Sequence, residues 1–127
     1  MAATPSPGRS SEFADAGANG RSRPERPRLL LLHGLLADRT AWLAVEEALT
    51  PFADTVALDL PGFGDRRASA GWRTLDELVA QLLPAVGELA PTHIVGHSMG
   101  AIVALALAQR LPGELHAVGL IGLPIYG

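Results

Sequence analysis

Four short apolar runs set the frame for this chain: RLLLL from Arg28, TVALDL from Thr55 to Leu60, THIVG from Thr92 to Gly96 and HAVGLIGL from His116 to Leu123. None alternates apolar and polar residues as a half-wetted strand does, so each reads as a strand buried on both faces, the mark of a parallel sheet covered by helices. Helical spacing fills the gaps. TAWLAVEEALTPF places Trp42, Val45, Ala48 and Leu49 along one face and stops at Pro51. Thr74 and Glu77 form a capping box ahead of Leu75, Leu78, Val79, Leu82, Leu83, Val86 and Leu89, a helical stripe in which Pro84 predicts a kink. Met99 to Leu111 supplies a third helix. Strands and helices alternating with short joins predict right-handed crossovers and helices on both faces of one sheet.

The organisation around this core is simple. Met1 to Pro27 is rich in Ser, Gly, Pro, Ala and Arg and carries no period, which predicts a disordered tail (1–27) before a single domain over 28–127. A net charge of −3 offers no basic field for a phosphate backbone, so no nucleic-acid partner is expected. With no cysteine there are no disulfides and no thiolate metal sites. The N-terminus has no apolar h-region, and MGAIVALALA falls short of the roughly 20 residues of a membrane span, so a cytoplasmic chain without a span is expected.

Chemistry concentrates at Gly96-His97-Ser98-Met99-Gly100, set between THIV and MGAIVALALA. A strand turning this sharply into a helix strains the serine and lifts its hydroxyl to the tip of the sheet, and the flanking glycines let the backbones pass closely. Acyl transfer also needs two N–H donors aimed at the developing oxyanion. The Met99 N–H, at the start of a helix, is one candidate; the Leu35 N–H, just past His33-Gly34 at the end of the first strand, is the other. His33 is expected to hold that loop structurally, and His97 to line the pocket or pack behind the elbow. His93 and His116 fall at strand starts and are expected to be solvated. Gly62 and Gly64 lack the Lys-Ser/Thr or third glycine of a phosphate loop and read as turn glycines, with Asp59 capping its own loop.

Taken in order, HG with a Trp eight residues after the glycine, then DLPGFGDR, then VGHSMGA resemble the N-terminal half of an α/β-hydrolase fold protein of the serine-nucleophile branch, from about Arg28 to Leu123. The resemblance implies an α/β fold with a parallel sheet of about four strands, in the order 4-3-5-6 of the family's strand numbering. It implies Ser98 as nucleophile, Leu35 and Met99 as backbone oxyanion donors, and His33, Gly34, Gly96, His97 and Gly100 in support. The reaction implied is cleavage of an ester, thioester or related acyl bond in a small-molecule substrate, with no metal or organic cofactor. Serine at the elbow sets the chain apart from the dehalogenase and epoxide hydrolase branches, which use Asp there. A cofactor-free haloperoxidase-like member remains an alternative.

The departures from the family are also informative. Its sheet normally has eight strands, and its acid and histidine follow the later ones. After Ser98 this chain has only Glu114 and His116 as acid and imidazole, at a joint expected at the far end of the sheet from the elbow. A second expectation follows, that of a truncated, non-catalytic chain or binding scaffold. In either case AVGLIGL would be an open apolar edge, suited to self-association.

Overall fold

The computed structural model describes residues 26–64, 71–111, 113 and 115–124. Most of the expected tail, Asp65 and Arg66 of the DLPGFGDR loop, and Glu114 lie outside the described residues. The elements run β1 (Arg28–Leu32), a 3-10 turn (Arg39–Trp42), α1 (Leu43–Leu49), β2 (Asp54–Leu58), α2 (Leu75–Leu89), β3 (His93–His97), α3 (Met99–Ala108) and β4 (Ala117–Ile121). All three strand pairings are parallel, in the order β2-β1-β3-β4, which is the order expected from the family's topology. Leu32 of β1 stands opposite both Leu58 and Gly96, so the chain leaves β1, β2 and β3 at one common edge.

The core forms where the sheet meets α2 and α3. Leu30, Leu32 and Ile94 are fully buried against Leu78, Val79, Leu82 and Val86 of α2 and Val103, Ala104 and Leu107 of α3. Each such leucine contributes about 1.5–3 kcal/mol through removal from water. Of the stripe expected on α2, Leu75 alone is well exposed, because it belongs to the first turn. The helix runs on through Pro84, whose ring is exposed. Thr74 accepts the Glu77 N–H at 3.1 Å, while the Glu77 carboxylate reaches the N–H of Arg73 at 2.7 Å, one residue outside the simple box.

Two expectations require correction. Trp42 is buried in the 3-10 turn ahead of α1, and on α1 itself the inward positions are the half-buried Glu46 and Leu49, with Val45 and Ala48 exposed. Spacings of three and four residues both lie near one helical face, so periodicity alone could not choose between Val45 and Glu46. Arg26 and Pro27, read from the sequence as the end of the tail, are also joined to the domain. Arg26 pairs with Asp54 at 3.1 Å and donates to the carbonyl of Thr50 at 2.7 Å, and Pro27 accepts the Asp54 N–H at 2.9 Å. Arg26 closes the C-terminal end of α1, as Arg28 does for α2 by donating to Ala90 O at 2.8 Å. These are polar fastenings, which a search for apolar periodicity does not register.

Candidate active site

β3 turns directly into α3, and the junction is Ser98. Its backbone lies at φ 58°, ψ −118°, a region that side chains rarely adopt, and its hydroxyl does not cap the helix it begins. Close packing enforces this geometry. A Cβ on Gly96 would fall inside the carbonyl of Gly100, and one on Gly100 would fall inside the carbonyls of Leu32 and His33. Both glycines are needed because α3 crosses the ends of β3 and β1 at backbone contact. The Ser98 N–H donates to Ile121 O at 2.9 Å, which fixes the turn from the side of β4.

The loop after β1 lies against this turn. A Cβ on Gly34 would stand 3.1 Å from the Ser98 Cβ and 3.2 Å from His97 O. From Gly34 the chain makes a turn closed by the Ala37 N–H donating to Gly34 O at 3.2 Å, with Leu36 in the left-handed region at φ 64°. His33 sets the direction of that turn. Its ring is 1% exposed, Nδ1 lies 2.8 Å from Gly34 O, and Nε2 lies 2.9 Å from the Leu60 nitrogen. A carbonyl can only accept, so Nδ1 carries the proton and Nε2 accepts from the Leu60 N–H, which fixes one neutral tautomer. In a trans peptide the C=O and N–H point opposite ways. With Gly34 O tied to His33 and Ala37, the Leu35 N–H is turned away from them. Among the described residues neither the Leu35 nor the Met99 N–H has a hydrogen-bond partner, so both remain available as donors.

The remaining candidates are less concentrated. The exposed His97 ring lies beside Gly34 and Gly122. His93 and His116 stack edge to face at 5.8 Å, one at the start of β3 and one just before β4, at the opposite end of the sheet from Ser98. His93 is half-buried and held by Thr92 Oγ1 at 2.8 Å, so it is less solvated than its position in the sequence predicts. Among the described residues, no imidazole or carboxylate is hydrogen-bonded to the Ser98 hydroxyl. Gly62 and Gly64 both have positive φ, as turn glycines do. The buried Asp59 carboxylate lies against Gly64 in its own loop and also accepts the Arg39 N–H at 2.8 Å and the Arg39 guanidinium. Sequence reasoning missed this second set of partners. Asp38 caps the 3-10 turn by accepting the Thr40 N–H at 2.9 Å, and the Thr40 hydroxyl and N–H together hold its carboxyl below the ordinary range. The Asp-x-Thr pattern ahead of Trp42 was the available signal.

Comparison with known proteins agrees with the fold. A family model described as "Alpha/beta hydrolase family" matches residues 29–126. The chain is 37% identical over 95 residues to the dihydrolipoyllysine-residue acetyltransferase component of the acetoin cleaving system of Pseudomonas putida, covering 73% of this chain and 26% of that protein. It is 34% identical over 107 residues to the monoacylglycerol lipase ABHD6 of Homo sapiens, covering 80% and 32%. Among solved structures, it is similar to the type II thioesterase BorB from the borrelidin biosynthetic cluster, with a TM-score of 0.61 and 37% identity over 70% of this chain and 37% of that one. The chain therefore spans about a quarter to a third of the length of the curated relatives it matches.

Proposed function

The chain belongs to the alpha/beta hydrolase family, and on that premise we propose that Ser98 is the nucleophile of an acyl transfer acting on an ester, thioester or related acyl bond. The observation that carries this reading is the strained, uncapped serine at the strand–helix junction beside the unpartnered N–H groups of Leu35 and Met99. The Ser98 oxygen attacks the carbonyl carbon, and the carbonyl electron pair moves onto oxygen, where the two backbone donors receive it. The hydroxyl proton passes to a base and from there to the leaving alcohol or thiol. The acyl-serine that remains is hydrolysed by water, which returns the proton to Ser98. No described residue supplies the base. Similarity to a monoacylglycerol lipase and to a thioesterase supports acyl esters and thioesters as the substrate class.

A second reading rests on the unassisted hydroxyl of Ser98. In it, this polypeptide alone offers an acyl-binding scaffold and does not turn substrate over, since a serine without a base is a weak nucleophile. A fluorophosphonate probe on the purified chain separates the two. Rapid labelling that disappears in Ser98→Ala supports a reactive nucleophile; a folded, soluble sample that stays unlabelled sinks self-sufficient catalysis. No helix among the described residues is long and apolar enough to cross a membrane, and the proposed setting is cytoplasmic. The same proposal includes self-association through β4, whose exposed Leu120 and Ile121 border a strand edge unpaired among the described residues.

A further inference from the structure

The loop that carries Leu35 is anchored at both ends by two consecutive residues leaving β2. At its start, the His33 ring accepts the Leu60 N–H at 2.9 Å. At its end, Asp59 accepts the Arg39 N–H at 2.8 Å and pairs with the Arg39 guanidinium. Asp59 is 3% exposed. A carboxylate that far from water is costly unless donors surround it, and charge-assisted bonds to a main-chain N–H and a guanidinium are strong compensation. Gly64 lies so close to the carboxylate that any Cβ there would collide with it.

Between these anchors the loop has little of its own to hold it. Its internal ties, the Ala37 N–H to Gly34 O bond at 3.2 Å and the His33 Nδ1 to Gly34 O bond at 2.8 Å, both converge on one carbonyl at its start. Leu35 and Leu36 are 60% and 89% exposed, and Leu36 is in the left-handed region, which disfavours the turn. A tip that is exposed and locally strained keeps its shape only if its ends are fixed. We propose that Asp59 is a positioning residue for the oxyanion donor at Leu35, acting through Arg39 and the close of the loop. This rests on the reading of Leu35 as an oxyanion donor. It adds to the apparatus of the same reaction a residue that lies beyond the 3-10 turn, α1 and β2 in the chain.

The test uses the full chain and two variants, Asp59→Asn and Arg39→Ala; the second alters a side chain that is largely at the surface. Three quantities are measured: the rate of fluorophosphonate labelling at Ser98, amide hydrogen exchange of residues 34–37, and the thermal midpoint. The proposal expects labelling to slow by about 10-fold or more in both variants, a fraction of the 10²–10³ that follows complete loss of an oxyanion donor. It also expects exchange to accelerate selectively at Leu35, Leu36 and Ala37, with Arg39→Lys recovering part of both effects. Unchanged labelling with unchanged loop exchange overturns the proposal. So does faster exchange spread evenly over the core, which would mark Asp59 as a general stabiliser. If the parent chain does not label at all, self-sufficient catalysis fails separately. Selective loosening of residues 34–37 then still decides for the anchor, and its absence decides against it.

Discussion

The N–H of Ser98 donates to the carbonyl of Ile121 at 2.9 Å, so β4 holds the residue proposed as nucleophile. Among the described residues, β4 has a neighbour on one side only. Together with Gly34 against the Ser98 Cβ and α3 pressed onto β1, this bond fixes the elbow from three directions.

The tightest of these contacts is at Gly100. A methyl group there would enter the carbonyls of Leu32 and His33, which are main chain and cannot rotate aside. Gly100→Ala is expected to cost about 3 kcal/mol or more, at the upper end of overpacking effects. The shift of the urea midpoint measures it, and a midpoint equal to the parent's contradicts the packing argument.

Strain at Ser98 makes a prediction of opposite sign. Glycine occupies φ 58°, ψ −118° without a Cβ penalty, so Ser98→Gly is expected to stabilise the fold by about 1 kcal/mol while abolishing probe labelling. Calorimetry on parent and variant decides it. A lower thermal midpoint in the glycine variant means that the serine is not strained by its neighbours.

Glu46 carries a pH signature. Burial on the inner face of α1 raises its carboxyl above the ordinary 4.5, partly opposed by the hydroxyl of Thr55 at 3.4 Å. The folded chain then binds a proton more readily than the unfolded chain, so the penalty is largest near neutral pH with Glu46 ionised. Stability is regained as pH falls through the raised value, and the gain is complete below about 4.5. In Glu46→Gln that component of the pH profile disappears and the midpoint at pH 7 rises. The difference between the two profiles is the measurement, and a variant less stable than the parent at pH 7 refutes the sign.

The open edge makes a fourth prediction. Leu120 and Ile121 are 38% and 49% exposed on β4. Leu120→Lys with Ile121→Lys is expected to reduce association seen by sedimentation while changing stability by no more than about 0.5 kcal/mol per site, as for other surface substitutions. Identical sedimentation of parent and variant removes β4 as the contact.

The strand and helix sequence and the position of Ser98 were legible because each has a local cause, whereas the sheet order came from the family resemblance alone. Apolar runs without alternation mark buried parallel strands, and Gly-x-Ser-x-Gly at a strand–helix boundary marks the turn. What was illegible is long-range and polar. Nothing near Asp59 in the chain says that Arg39 will bond to it, and nothing near His33 says that Leu60 will fix its tautomer. Arg26 was assigned to the tail for the same reason, since its partners at Thr50 and Asp54 become visible only in three dimensions. On α1, a one-residue ambiguity in helical phase exchanged Val45 for Glu46 on the inner face.

The pairing of β1 with β3 has a consequence for assembly. β1 and β2 are joined through α1, and β3 and β4 through α3, so each pair can close across a short span of chain. The β1–β3 seam joins segments as far apart as Arg28 and Thr92, 64 positions, and contacts at that separation form slowly. Leu35 belongs to the first pair and Ser98 to the second. A growing chain that has completed either pair carries one part of the proposed acyl-binding centre, and the two parts meet only when the seam closes.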